Sequence, residues 1–510
     1  MQFILGALAD IFHPVSFAFL FIGSALGLLV GVLPGLSSPM ALAILIPITF
    51  GMEPFSAFMI LIGIYVGTKT GGAFSAILIR TPGTPAAAAT AMEGFPMAQR
   101  GEAGRALALS IGASFCGGTA SWLVAVPLVG VIGLYAVQIS SADLAMIGVL
   151  ALAAVSSLSG RDLLKGLMAS CLGLIISTIG LDELTGAPRL TLGYYQLLGG
   201  IPFLAAIVGL FAVATVLVDI SQDAAGAKPQ AKGGGFRPGL LLRDLWKMRK
   251  QLGVGTTIGS LLGIVPGVGS DTAGWLSYAY VKRQIEKGFL KSDRKMGEGV
   301  PQGLAAPEAA NNAVTGGATI PMLTLGIPGD GSTAIMLGAL MLFGLQPGPL
   351  FFHESPEMAY GILVALGVAN LTTLIAAFLL IRPFTAVLRI DRAVLLGSVL
   401  VLALAGSFAS TNNSFEMVVA LVFGVLGYFM YRFNFSIPAL ALGLILGPVI
   451  ESNFRRALMI SRGDASVFLT SPLSLLSIVL LTAIAGKFLY DFASRSKHRS
   501  EARQSRKPGS

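Results

Sequence analysis

GVLPGLSS at 31–38 and GIVPGVGS at 263–270 are two copies of one pattern: an apolar run broken by Pro-Gly and resumed at serine. A second break follows each copy, RTPGTP at 80–85 and GIPGDGS at 326–332. Gly71 and Gly317 precede these second breaks at the same spacing. So Pro34-Gly35, Gly71 and Pro82-Gly83 in the first half match Pro266-Gly267, Gly317 and Pro328-Gly329 in the second. One Pro-Gly alone is an ordinary kink or cap. Four in matched order point to an internal repeat. Proline removes a helix donor and glycine permits the turn. In a bilayer the freed backbone groups are tolerated only where they line a cavity or are buried in protein.

The rest of the chain says that the bilayer is its solvent. Of 510 residues, 54% are hydrophobic and 12% are charged, and the mean hydropathy is +0.80. Soluble domains average about 25% charged residues. The apolar runs are continuous and rich in Leu, Ala, Ile and Gly, so they read as helices and not as the short alternating segments of a barrel. The expected fold is an all-α polytopic membrane protein of two inverted-topology repeats, with roughly 10–14 membrane segments including re-entrant helical hairpins. The expected division is a first membrane repeat at 1–220, a polar cytoplasmic linker at 221–251, a second membrane repeat at 252–492 and a basic cytoplasmic tail at 493–510. The net charge of +9 belongs to loops facing the cytoplasm and the membrane lipid, and implies no nucleic acid. Cys116 and Cys171 sit in apolar runs, and His13, His353 and His498 are isolated, so neither a disulfide nor a metal framework is indicated. No basic segment opens the chain, so no cleaved signal peptide is expected.

Loop charges orient the halves. No Lys or Arg occurs at 1–68, but twelve occur at 232–295, around the matching motif. Arg100 and Arg105 follow the Pro82 break, whereas the matching 346–357 has neither Lys nor Arg. The segment 131–143 has none, and its counterpart holds Arg382, Arg389 and Arg392. Arg161 and Lys165 face a counterpart, 406–416, that again has none. Four loop pairs invert their sign, as inverted repeats require, although Arg189, Arg455 and Arg456 fit poorly. Basic residues flank 252–281 at both ends. That segment therefore reads as a re-entrant hairpin with Pro266-Gly267 at its tip, its arms of ~13 residues rising ~1.5 Å each.

A helix that restarts after such a tip aims its N–H groups and positive dipole end at the cavity, which favours an anion. Ser37, Ser38, Thr84, Ser270, Asp271, Asp330 and Ser332 stand at these restarts. Asp330 with tip carbonyls can hold Na⁺, and it also has the chemistry of a helix N-cap; the two roles are compatible. Glu308, Asn311 and Asn312 share one helix face by their spacing. The stretch 300–314 that carries them aligns with an apolar stretch of the first half and reads either as a crossing helix or as a surface segment. Ionisable groups within a membrane are functional candidates by default. Lys69 ends an apolar run; it either compensates a carboxylate cargo or, more commonly for lysine, snorkels to the interface.

These residues carry a resemblance. The stretches 27–57, 71–101 and 298–349, the last containing EGVPQGLAAPEAANNAV, resemble the large membrane subunit of the tripartite tricarboxylate transporters, the TctA-type proteins, and the likeness extends over nearly the whole chain. The resemblance implies an ion-coupled importer of carboxylates in the bacterial inner membrane, driven by Na⁺ or H⁺. It implies two partners, a small membrane subunit (TctB-type) and a periplasmic solute-binding protein (TctC-type). It implies no enzyme activity and no cofactor beyond a coupling ion. Four positions depart from the family pattern. Thr84 stands where an acidic residue is frequent, Asp330 where Ser is frequent, Glu93 in place of Asp, and Lys69 where a neutral residue is usual. The departures argue against citrate itself, and the family also handles dicarboxylates, aromatic ones included. The substrate-site candidates are Pro34, Gly35, Ser37, Ser38, Lys69, Pro82, Gly83, Thr84, Pro266, Gly267, Ser270, Asn311, Asn312, Pro328, Gly329 and Ser332. The ion-coupling candidates are Asp271, Glu308 and Asp330. Two other classes remain as alternatives, an intramembrane enzyme and an ATP-driven permease subunit, although the chain carries no HExxH and no P-loop.

Overall fold

Helices account for nearly all the regular structure, as continuous apolar runs in a bilayer demand. The computed structural model describes residues 2–486 except 50, 137, 159–162, 183, 222–237, 382 and 384–391. The tail, most of the linker with Lys232, and the loop residues Arg161, Arg382 and Arg389 lie outside the described residues. The first half runs through α1 (Gln2–Ile11), α2 (Pro14–Val32), α3 (Ser38–Leu45), α4 (Pro54–Ile79), α5 (Ala88–Met97), α6 (Ala103–Ala136), α7 (Ser141–Leu158) and α8 (Leu163–Ser177). A short antiparallel hairpin, β1 (Gly180–Leu181) and β2 (Pro188–Arg189), follows with Gly180 opposite Arg189. The half closes on α9 (Phe203–Val208) and α10 (Ala214–Ser221), joined by a π turn at Gly209–Val213. The second half runs through α11 (Pro238–Lys247), α12 (Arg249–Ile264), α13 (Gly269–Glu286), α14 (Pro301–Leu325), α15 (Gly331–Leu342), α16 (Phe351–Glu354) and α17 (Pro356–Leu379). It continues through α18 (Arg392–Thr411), α19 (Ser414–Arg432), α20 (Ile437–Ile460) and α21 (Val467–Thr470) to a further apolar helix at Pro472–Gly486. Among the described residues, seven helices are long and apolar enough to cross a membrane, and shorter apolar helices such as α3 and α15 accompany them.

Two long helices are buried along nearly all their length, α4 in the first half and α14 in the second. A helix buried on every side faces protein, not lipid, and so need not be uniformly apolar. That explains α14, which places Glu308, Asn311 and Asn312 in the interior, each 0% exposed. The stretch 300–314 is thus part of a central helix and not a surface segment. Both helices end on a left-handed residue, Arg80 (φ 58°) and Gly326 (φ 67°), just before the second break of each half.

Each central helix has a partner held by glycine. A methyl on Gly27 would lie 2.5 Å from the Ile64 carbonyl oxygen, and one on Gly31 would lie 2.6 Å from that of Thr68. Gly63, Gly67 and Gly71 answer against Leu20, Ser24 and Leu28. In the second half, Gly255, Gly259 and Gly263 press on Ala306, Ala310 and Val314. Small residues every fourth position let membrane helices approach backbone to backbone. Numbers rise together in both pairs, so α2 runs parallel to α4, and α12 runs parallel to α14.

The breaks pack on these pairs in the same way. A methyl on Gly83 would strike the Gly31 carbonyl and approach Gly72 Cα to 2.9 Å. One on Gly329 would strike the Gly263 carbonyl and approach Ala318 Cα to 2.7 Å. Backbone bonds fasten the tips: Gly83 N donates to Gly72 O (3.1 Å), and Gly267 N donates to Gly329 O (2.8 Å). The central helices themselves cross antiparallel. Tyr65 reaches Asp330, Thr70 reaches Asn312, and Gly94 wedges between Ile77 and Leu304. Ascending α4 therefore means descending α14.

α12 and α13 form a hairpin. Gly255 near the start of α12 lies on Ala306, and Tyr278, just past the middle of α13, donates to Glu93 Oε1 (3.0 Å). Glu93 also takes the N–H groups of Gly297 (2.6 Å), Gly299 (2.9 Å) and Val300 (2.8 Å), just before α14 begins. Both arms thus end beside the start of α14, and the tip lies beside Gly329. One buried carboxylate ties α5, α13 and the 297–300 loop together. Glu93→Gln leaves some of these amides unpaired, at a cost of about 1–3 kcal/mol. The expected result is faster protease cleavage within 287–300 and a lowered Tm.

Two sequence features find their place here. α11 is the amphipathic piece around Trp246; its Leu241 and Leu245 pack on Gly112 while Trp246 is exposed. Helix therefore occupies part of the 221–251 linker, and α12 begins at Arg249. The misfit Arg189 and Arg455 share Asp182 and Glu451, with Arg455 at 2.8 Å from Asp182 and Arg189 at 2.8 Å from Glu451. The cluster fastens the β-hairpin to α20.

Candidate functional site

All four breaks contribute to one cavity of about 460 Å³. That is the size range of small-molecule pockets, ~300–1,000 Å³. Ser37 caps α3, accepting Met40 N (3.4 Å), and Ser38 follows it. Thr84 stands before the 3₁₀ turn Pro85–Ala87. Gly267, Ser270 and Asp271 surround the start of α13, and Asp330 and Ser332 surround the start of α15. All of these line the cavity, so the N-terminal ends of α3, α13 and α15 face it. The positive dipole ends of three helices converge there, an arrangement suited to anions.

Lys69 is the cation of this cavity. It does not snorkel. α4 continues past it to Ile79, so Lys69 lies mid-helix, 3% exposed, with no route to an interface. Its Nζ donates to Asp330 Oδ2 (2.9 Å) and Ser270 Oγ (2.7 Å), and lies 5.5 Å from the centre of the Tyr65 ring. Tyr65 OH donates to the same Asp330 oxygen at 3.3 Å. Asp330 Oδ1 is held separately, by Thr333 N (2.8 Å) and Thr333 Oγ1 (3.0 Å), in a capping box. Two charged positions singled out in the sequence are therefore partners of each other.

The other named residues divide into two groups. Pro34, Gly35, Pro82, Gly83, Pro266, Pro328 and Gly329 build the tips but do not line the cavity. Asn311, Asn312 and Glu308 do not line it either, because α4 stands between. Asn311 Nδ2 donates to the Lys69 carbonyl (3.0 Å), and Asn312 Oδ1 accepts from Thr70 (3.1 Å). Glu308 accepts from Thr90 and from Ser114 (2.9 Å). Asn311 and Asn312 thus support α4 from behind, and Glu308 ties α14 to α5 and α6.

Sequence reasoning missed several contributors. Tyr65 is one; its position four residues before Lys69 on the same helix face was the available signal. Phe211, at the π turn, and Pro438, Ala441 and Leu442, from α20, form an apolar wall. Asp219, near the end of α10, was not singled out in the sequence, yet a methyl on Gly35 would lie 2.9 Å from its carboxylate.

The chain matches a family described as the tripartite tricarboxylate transporter TctA family over residues 17–442. It is 36% identical over 480 residues to an uncharacterised 52.8 kDa protein in the TAR-I ttuC' 3' region of Agrobacterium vitis, covering 92% of this chain and 93% of that one. It is 38% identical over 228 residues to an uncharacterised protein in the TAR-II ttuC' 3' region of the same organism, covering 44% of this chain and 92% of that one. No solved structure matches. A helical membrane protein with broken helices around one anion-suited cavity agrees with the match that spans those breaks: the chain belongs to the tripartite tricarboxylate transporter TctA family, and is a transporter subunit and not an enzyme.

Proposed function

We propose that the chain is the translocating subunit of a cation-coupled importer of organic di- or tricarboxylates in the bacterial inner membrane. The observation that carries this reading is the single cavity to which all four breaks and Lys69 contribute. Helix N-termini, Lys69 and the hydroxyls of Ser37, Ser38, Thr84, Ser270 and Ser332 bind the carboxylates; Asp330 and Asp271 serve the coupling cation, Na⁺ or H⁺. The halves are read as inverted repeats, a reading supported by the antiparallel crossing of α4 and α14 and by the inverted loop charges. Inverted repeats place substrate at the midplane between discontinuous helices and work by moving one unit against the other. The partners are a small membrane subunit and a periplasmic binding protein that delivers the cargo.

The test is uptake into proteoliposomes holding this chain and the small subunit, with the loaded binding protein outside and no ATP. Uptake is expected under an inward Na⁺ or H⁺ gradient and not without one. Uptake that requires ATP and ignores both gradients makes the chain an ATP-driven permease subunit instead.

A further inference from the structure

Three ionisable acid or base side chains line the cavity, Lys69, Asp271 and Asp330. Only one is a cation, and its ammonium is already taken. Asp330 sits on it at 2.9 Å, and the pair is buried, 3% and 5% exposed. Asp271 is open to the cavity and has no hydrogen-bond or ion-pair partner among the described residues. The hydroxyls of Ser332 and Thr84, 1% and 3% exposed, also line the cavity and have no partner there. The site thus holds one negative charge in excess beside unused hydrogen-bonding groups.

We propose that Asp330 occupies the anion subsite of Lys69 while the cavity is empty, that a cargo carboxylate binds by displacing it, and that a monovalent cation joins Asp330 and Asp271 in the same event. This rests on the carboxylate reading of the cavity. The capping box makes the displacement consequential. Thr333 holds Oδ1, so Asp330 cannot swing away when Oδ2 loses Lys69. Its charge stays in the cavity beside that of Asp271, with only the Tyr65 hydroxyl still donating to Oδ2. A dianionic cargo adds two charges. Three helix N-termini of about +0.5 each and one ammonium do not balance that total. A cation must, and the hydroxyls of Ser332 and Thr84 are free to ligate cation or cargo. Coupling then follows from charge balance at one pair of side chains.

The experiment measures Tm of the purified full chain in two titrations, Na⁺ replacing choline at fixed pH and pH in choline alone. The acids facing the subsite in the second titration are Asp330, Asp271 and Tyr65. Each titration is run without carboxylate and with succinate, malate or citrate. Wild-type protein is expected to respond to the cation only when a carboxylate is present. Lys69→Met frees Asp330 and is expected to bind the cation at least tenfold more tightly with no carboxylate present; Lys69→Met/Asp330→Asn is expected to lose that gain. The arm that responds identifies the cation. A Lys69→Met protein with the wild-type cation response overturns the inference. Should that variant not fold, Asp330→Asn decides: carboxylate binding without cation must tighten at least tenfold, and unchanged binding overturns the inference. A wild-type carboxylate response that needs no cation overturns the inference alone. No response to any of the three acids sinks the carboxylate reading together with it.

Discussion

Lys69→Met is expected to abolish uptake and to destabilise the protein by about 3–5 kcal/mol in choline buffer, the usual cost of breaking a buried ion pair by removing one partner. The loss comes from what remains behind. Asp330 loses its counter-charge while its Oδ1 stays clamped by Thr333, so the carboxyl group can neither leave nor find another cation among the described residues. Neutralising both members removes the penalty, since a buried pair is often replaceable by neutral groups at little cost. Lys69→Met/Asp330→Asn is therefore expected to regain most of the Tm lost by the single variant. Asparagine still caps α15. Uptake is not expected to return, because the ammonium that receives the cargo is gone. Thermal unfolding in detergent beside proteoliposome uptake reads both quantities. A single variant as stable as wild type would show that the pair contributes nothing to the folded state.

Gly259→Leu should prevent stable folding, whereas Gly253→Leu, less than two turns away on the same helix, should be harmless. A side chain at 259 would be driven into the backbone of Ala310, with its carbonyl carbon and Cα 2.9 Å from the new Cβ. Nothing lies within 4 Å at 253. Overpacking by even a few methylenes costs about 1–3 kcal/mol when neighbours can yield. Here the neighbour is helix backbone and cannot. At 253 leucine improves helix propensity by about 1 kcal/mol over glycine. Yield of monodisperse protein in detergent separates the two. Equal losses at both positions would mean that helix α12 does not pack on α14 through its glycines.

The breaks and their order were legible because Pro-Gly acts on the backbone itself, whatever surrounds it. The same holds for the helix restarts, whose serines and Asp330 do line one cavity. Lys69 was legible as a charged residue in an apolar run but not as a buried one. Hydropathy falls at GTKTGG whether the helix stops there or continues through protein, and only packing distinguishes the two. Asp330 as its partner was not legible at all, since their approach depends on how α4 crosses α14. Asn311, Asn312 and Glu308 were correctly grouped on one face, but periodicity does not say what that face meets; it meets α4, α5 and α6 and not the cavity. The glycine ladders were written openly as small residues at every fourth position and went unread beside the louder prolines.

Those ladders have a mechanical consequence. Helices joined through side chains can slide by trading rotamers, because each side chain has slack. α2 and α4 touch carbonyl to Cα, and so do α12 and α14, leaving no compliant layer between them. Each pair behaves as a stiff beam, and shear within it is blocked. Any stroke of the molecule must then fall on joints made of side chains. Thr70–Asn312 is such a joint where one beam crosses the other, and Lys69–Asp330 is one between the first beam and the cap of α15.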